Sequence, residues 1–374
     1  MKPVVAILKT SPGTIIEDYA KLMELAQYKK HLDKKKGTII KLNLSWTKYF
    51  PACSTQPWQL EGVLKKLKKD NYKEIYPVEH RTVVTDPIKG AIENKWLPVL
   101  KKYNTQYRPL TKEKWVKYKP KNKMLALDTV FSPNYGSICS KDKERDKKSI
   151  HKIPELFMGK NVIHLPTLKT HGHTTMTGAI KNAFGGLITE RRHHCHKRIH
   201  EVLVDLLQIQ KEIHPGILGV MDGTIAGDGK GPRTMEPKET NLIMASTDQV
   251  ALDSVAAHLM GFDPMKIGFI RMAHERGLGC ADLNKMEFRG MEKEEVMKKN
   301  LGFTTGKSPV VFFDQFFRKG PLKRIEPWLF HTKAFKLCVF ASGFYHDRLW
   351  YNTIGRKKIK KFNKTKWGKL WQSY

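Results

Sequence analysis

The stretch Asn161 to Leu187, NVIHLPTLKTHGHTTMTGAIKNAFGGL, decides how the rest of the chain reads. Val162 to Leu165 is a short apolar run of the kind that forms a buried strand, and Pro166 ends it because proline has no N–H to give a ladder. A polar loop then carries Lys169, Thr170, His171 and His173 to a helix expected to begin near Thr177 and to close at Gly185-Gly186. An ammonium, hydroxyls and imidazoles thus gather between a strand end and a helix start, where unpaired backbone N–H groups favour an anion. Lys181 and Asn182 follow on the helix and return towards the same region. A Lys, a Thr and a His in a loop are most often only solvated. Their clustering in an otherwise apolar, glycine-rich stretch makes this the candidate site.

Working outward, Val4 to Leu8 and Thr38 to Leu42 read as strands flanking a helix, with Thr14 and Glu17 spaced as a capping box. Such a β-α-β opening requires a crossover and builds a parallel or mixed sheet with helices on its faces. Lys41 and Asn43 fall at the carboxyl end of the second strand, where open α/β sheets place ligand contacts. A helix near Gln59 to Lys69 and a strand Glu74 to Val78 repeat the alternation. Glu79 and His80 follow, either as an acid/base pair or, more commonly for such residues, as a solvated loop. Residues 111–150 are lysine-rich with few apolar anchors and read as an insertion holding a short strand near Leu125 to Phe131.

Beyond the central stretch, Ile217 to Met221 reads as a strand ending at Asp222-Gly223, followed by the loop AGDGKGPR. Its glycines, Gly231 among them, let backbone approach a ligand closely. The serine or threonine that a phosphate-binding loop places after its lysine is missing, which excludes an ATPase of that type. Asp222 is a candidate to orient a base or hold a cation. Thr247-Asp248 caps a helix over Gln249 to Met260, and on it Asp253 sits among apolar residues, with Lys169 or Lys181 as the expected partner. RRHHCHKRIH, Arg191 to His200, has a metal-like composition, and His196 with His200 has the i, i+4 spacing of one helix face, yet no carboxylate intervenes as in a zincin. A basic loop feeding a helix Ile199 to Ile213 is the plainer account of it.

The formal net charge is +32, from 68 Lys and Arg against 36 Asp and Glu, and a field of that sign attracts polyanions and anionic membranes. The lysines are scattered, and zinc-finger spacing, an aromatic RNA-binding box and a basic heptad helix are all missing, so nucleic acid is the lesser partner reading. The cysteines, Cys53, Cys139, Cys195, Cys280 and Cys338, lie far apart without a C-x-x-C, which speaks against disulfides and an intrinsic iron–sulfur cluster. With neither an eighteen-residue apolar run nor a signal-peptide pattern, the expected address is the cytoplasm. From Leu301 the composition turns basic and aromatic, as in Phe312, Phe313, Trp328, Phe340 and Trp367. Such helices lie on anionic membranes, pack back on the core or dock a partner.

LPTLKTHGHTTMTGAIKNAFG, Leu165 to Gly185, resembles the signature of the family catalogued as domain of unknown function 362. MDGTIAGDGKGPR from Met221 and ASTDQVALDSVAAHLMGFDP from Ala245 are similar to further segments of it, and IKLNLS at Ile40 to Ser45 is similar to its K-P-N-L segment, with Leu42 in place of proline. Many members carry an iron–sulfur module that this sequence departs from. The resemblance implies an α/β fold and candidate residues, but no reaction.

The expectation is an α/β protein with a mixed, largely parallel sheet flanked by helices: a core over 1–300 and a helical, basic-aromatic extension over 301–374. The function expected is that of an enzyme acting on a small anionic substrate, a carboxylate or phosphate ester. Lys169 and Lys181 bind or polarise the anion, His171 moves the proton, Lys41, Asn43, Thr170, Asn182 and Gly231 contact substrate, and Asp222 or Asp253 fixes a base or cation. Replacing Lys169 by Met is expected to abolish binding and spare folding. Two alternatives stay open: a non-catalytic binder of polyanions or anionic membrane, and a metal or redox protein that uses a divalent cation at His196 and His200 and works with an external iron–sulfur partner protein.

Overall fold

The computed structural model describes residues 2–130, 151–189 and 192–374. Its strands are β1 (Val4–Lys9), β2 (Thr38–Lys41), β3 (Ile75–Glu79), β4 (Arg108–Pro109), β5 (Trp115–Tyr118), β6 (His151–Pro154), β7 (Asn161–His164), β8 (Thr167–His171), β9 (Thr175–Met176), β10 (Ile217–Lys230), β11 (Thr234–Ser246) and β12 (Glu287–Arg289). The main sheet runs β12-β1-β11-β10-β7-β2-β3-β4, with β8 pairing β10 and β9, while β5 and β6 form a separate pair. β7, β2, β3 and β4 pair in parallel, as do β10 with β7 and β1 with β12; β11 runs antiparallel to both β1 and β10. The sheet is mixed and largely parallel, with helices on both faces and a helical C-terminal region.

Alternation along the strands divides the core in two, because successive side chains point to opposite faces. Val5, Ile7, Ile39 and Val162 pack with the helices Ile199–Ile213, Gln249–Met260 and Gly268–Glu275. Ala6, Leu8, Ile40 and Ile163 face the helices Ile15–Leu25 and Pro57–Lys69. Burial on both faces is why β2 and β7 read as continuous apolar runs.

Four local readings are corrected. Lys169, Thr170 and His171, expected on a loop, lie in β8, which pairs with β10 and β9. Thr14 does not cap an N–H of the first helix; its hydroxyl donates to Asp18 Oδ2 at 2.6 Å. The segment expected as a strand near Leu125 forms a helix at Leu127–Val130, and residues 131–150 lie outside the described ones. The Asp205 carboxylate accepts the N–H groups of Leu125, Ala126 and Leu127 at 2.7, 2.8 and 2.9 Å, which fixes that turn as a helix start. The glycine-rich segment expected as a loop is the outer half of a long hairpin, since β10 continues to Lys230 and pairs with β11 down to Lys230 opposite Thr234. Glycine permits this: a Cβ at Gly227 would lie 2.4 Å from Met235 Sδ, and one at Gly231 1.8 Å from the Thr170 carbonyl oxygen.

The last residues pack back on the sheet. Trp367 is buried against Trp58 at 5.2 Å between ring centres, and its indole N–H donates to Asn241 Oδ1 at 2.7 Å. The helices between Pro309 and Gly343 instead leave Phe312, Phe313, Trp328, Leu337 and Phe340 exposed. Among the described residues no helix is long and apolar enough to cross a membrane.

Candidate functional site

β2, β3 and β7 end at one edge of the sheet, and the chain after each of the first two carries polar side chains into a common crevice. Its floor includes Lys41, Asn43, Glu79, His171, Lys181, Asn182 and Arg192, and residues from Ser308 to His346 roof it over. The cavity between floor and roof has a volume of about 690 Å³, within the range usual for small-molecule sites.

Lys41 and Glu79, on neighbouring parallel strands, form a buried ion pair at 2.8 Å, and the Lys41 ammonium also donates to the Leu42 carbonyl at 2.5 Å. Glu79 accepts the His80 N–H at 2.8 Å with its other oxygen. Burial pushes the His80 imidazole down to about 3, with Arg192 adding to the effect, so the solvated-loop reading of Glu79 and His80 is corrected: both are buried. A Cβ at Gly185 would stand 2.9 Å from both Glu79 Oε1 and Lys41 Nζ and 3.1 Å from an Arg192 nitrogen, so these three charges converge on one glycine.

Asn182 ties the floor together. Its amide donates to the Lys41 carbonyl at 2.9 Å and its oxygen accepts from Asn43 at 3.3 Å. The helix bearing it, Ala179–Asn182, starts on the Asp253 carboxylate, which accepts the N–H groups of Ala179 and Ile180 at 2.7 and 3.0 Å. Burial raises Asp253 to about 7, partly offset by those two hydrogen bonds. Asp253 is therefore a positioning residue with backbone partners, not the lysine partners expected.

Lys181 differs from Lys41 and Arg192. It lines the cavity with no hydrogen bond or ion pair among the described residues, and its nearest recorded contact is the Phe184 ring at 5.5 Å. Burial lowers its ammonium to about 7, and the charges of Lys169 and Arg192 act in the same direction. Lys169 is the opposite case. It does not line the cavity; its ammonium donates to Asn43 Oδ1 at 2.5 Å, to Ser45 Oγ at 3.0 Å and to the Cys53 carbonyl. All three of its hydrogens are engaged. Burial lowers Lys169 to about 8.

His171 is held well below the usual imidazole range by burial, then by Lys181, and is neutral. Its Nδ1 accepts the His173 N–H at 3.1 Å, which assigns the ring hydrogen to Nε2. In that tautomer His171 donates a hydrogen bond and does not take a proton.

Of the residues expected at the site, Lys41, Asn43, His171, Lys181, Asn182, Gly231 and His196 line the cavity, and Lys169, Thr170, Asp222, Asp253 and His200 do not. Asp222 is buried and accepts from Tyr19 at 2.6 Å, Trp58 at 2.9 Å and Thr224 at 2.7 Å, which leaves it nothing to orient. Thr170 donates to the Gly229 carbonyl at 3.0 Å and locks the hairpin. His200 Nδ1 accepts the Phe269 N–H at 3.1 Å, so it is not brought into a cation site with His196. The i, i+4 pairing fails because His196 lies in a 3-10 turn, Arg192–Arg198, ahead of the helix.

His196 instead meets His173 and Asp314, and one ligand atom from each lies within 4.8 Å of the others. Two imidazoles and a carboxylate are a donor set suited to a divalent transition metal. Arg318 already binds the carboxylate, its Nε standing 3.0 and 3.1 Å from the Asp314 oxygens. Burial works to raise the Asp314 carboxyl, but Arg318 and the two imidazoles outweigh it and hold the group well below the usual range. Arg192, Lys230, Arg233 and Asp314 are lining charges that reasoning from sequence did not place at the site, and Glu79 was read there only as one of two accounts of a strand end. Position at a strand end beside Lys41 was the available signal for Glu79; nothing in the sequence marks Asp314.

The family described as Domain of unknown function (DUF362) matches residues 38–258, a span that holds all the floor residues named above. The chain belongs to that family. It is also 36% identical over 124 residues to the "Thylakoid-associated protein sll1697" of Synechocystis sp. (strain ATCC 27184 / PCC 6803 / Kazusa), covering 31% of this chain and 37% of that protein. The match thus spans little more than a third of the relative's length. No solved structure matches the chain.

Proposed function

We propose that this member of the family is an enzyme that binds an anionic molecule, a carboxylate or a phosphate ester, in the strand-end crevice. The observation that carries the reading is Lys181: a cation lining the cavity without a hydrogen bond or ion pair among the described residues, beside Arg192 and the Lys41–Glu79 pair. Lys181 is half-buried; an unpaired charge partly withdrawn from water is costly, and a bound anion is the group that would relieve it. Lys181 would take and return a proton, since an amine titrating near 7 is matched to that task. His171 would donate a hydrogen bond from Nε2, and Asn43 with Asn182 would orient the ligand.

The test is a thermal-shift screen of carboxylates and phosphate esters on the wild type and Lys181→Met. A ligand that raises the melting temperature of the wild type and not of the variant supports the reading; equal shifts in both overturn it.

A second reading rests on His173, His196 and Asp314, which would hold a divalent cation at the crevice edge. Metal analysis of protein purified without an affinity tag decides it, with stoichiometric metal lost in His196→Ala as the supporting result. The alternative of a membrane-surface binder has support of its own: the chain would work at an anionic membrane surface. Exposed Trp328, Phe340 and Phe344 lie among exposed Lys319, Lys323, Lys333 and Lys336, a combination that suits such a surface, and the cyanobacterial relative's name is of the same kind.

A further inference from the structure

We propose that the ligand of this crevice is an amphipathic anion, its charged head held at Lys181 and its apolar body lodged against the roof. The proposal rests on the anion-site reading above and narrows it to a class of molecule. The two walls of the cavity differ in chemistry. The floor presents ammonium, guanidinium and amide groups, whereas the roof presents Val310, Phe317, Leu329, Phe335, Leu337 and Val339.

The charges of the roof are already engaged with one another. Arg318 binds Asp314, reaches Glu326 at 3.2 Å and lies 3.8 Å over the Phe330 ring. What the roof leaves for a ligand is mainly apolar surface, interrupted by the Asp314 carboxylate, which repels anions, and near its far end by Ser342, Tyr345 and His346. Acetate or inorganic phosphate would satisfy Lys181 and leave that wall facing water. Each methylene that reaches it should gain about fourfold in affinity when fully buried.

The apolar wall also has a way out. Phe313 and Leu337 line the cavity while remaining 55% and 67% exposed, and the Phe313 ring is 5.6 Å from that of exposed Phe312. A chain-bearing molecule could enter along these side chains with its apolar part never fully in water. A compact polar metabolite has no use for such a path.

The experiment is isothermal titration with acetate, octanoate, dodecanoate, dodecanol, inorganic phosphate and farnesyl phosphate, each below its micellar concentration. The proteins are the wild type, Lys181→Met and the double variant Phe313→Gln with Leu337→Gln, whose positions are exposed enough to leave folding intact. The wild type should bind dodecanoate at least a hundredfold more tightly than acetate. Lys181→Met should erase the preference for dodecanoate over dodecanol, and the double variant should lose at least tenfold of the chain-length gain. The ratio of farnesyl phosphate to dodecanoate affinity then states which head group is preferred.

Equal affinity for acetate and dodecanoate would overturn the amphipathic assignment and leave the anion site standing. Equal binding of dodecanol and dodecanoate by both the wild type and Lys181→Met would overturn the anion site itself, and with it this proposal. An unchanged chain-length gain in the double variant would remove the roof from the account. No binding of any probe would overturn both readings.

Discussion

The floor and the roof of the crevice are built on opposite terms. In the floor nearly every buried charge has a partner: Lys41 on Glu79, Lys169 on Asn43, Ser45 and Cys53, Asp253 on two backbone N–H groups. In the roof, large apolar side chains stay in contact with solvent, with Trp328 61% and Phe340 72% exposed. The difference teaches where each wall draws its order from. A floor whose charges are mostly engaged with one another leaves Lys181, which has no hydrogen bond or ion pair among the described residues, as a cation that a ligand would meet. A roof with unburied apolar surface gains by meeting something else.

The largest effect expected from this contrast is on stability. Lys169→Met leaves the acceptors Asn43 Oδ1, Ser45 Oγ and the Cys53 carbonyl without their donor and should cost roughly 2–5 kcal/mol. Chemical denaturation reads this directly, and Lys181→Met should stay within about 1 kcal/mol of the wild type in the same assay. A small loss in Lys169→Met would mean that the floor is not held as described. The expectation that this substitution spares folding is thus reversed by the engagement of all three ammonium hydrogens.

Next comes membrane affinity. Replacing Trp328, Phe340 and Phe344 together by Ser should lower partition onto phosphatidylserine-containing vesicles at least tenfold, at an unchanged melting temperature. Co-sedimentation measures it, and the floor variant Lys181→Met serves as the control that should bind vesicles like the wild type. Loss of binding in the control alone would invert the comparison.

A smaller effect is expected from pH. Burial lowers the Lys181 ammonium to about 7 in the free protein, and only its protonated form would hold an anion. Affinity for a carboxylate should therefore be flat below about pH 7 and fall by about tenfold per pH unit above it. Lys181→Arg, charged at every accessible pH, should remove the fall. A flat profile in the wild type would take Lys181 out of the head-group contact.

The smallest effect sharpens the roof side. Trp328→Ala should change stability by no more than about 0.5 kcal/mol despite the size of the side chain. Trp367→Ala, by contrast, should cost about 3–5 kcal/mol, because that ring is fully buried against Trp58. Equal costs would mean that the roof is packed as tightly as the end of the chain.

How much of this was legible in the sequence follows from the range of each interaction. Hydrophobic periodicity and strand-end placement brought Lys41, Asn43, Lys181 and Asn182 to one edge, because those signals are local to single β-α units. They could not say that Lys169 is spoken for, since its acceptors lie 116 to 126 residues away. Glycine in GTIAGDGKG read as a loop because conformational freedom and close packing carry the same residue; only the Gly227–Met235 contact tells them apart. Asp222 read as a catalytic candidate from its strand end, yet its carboxylate turns to Tyr19 and Trp58 on the far side of the sheet. The aromatic residues of the tail are alike in composition, and their division into buried Trp367 and exposed Trp328 depends on which of them finds the sheet.

The matched family span ends at residue 258, after the last floor residue, and the roof begins at Ser308. Heritable change can therefore act on the two walls separately. Substitutions over residues 308–346 would retune which molecules are admitted while the sheet and its lysines go on folding as before.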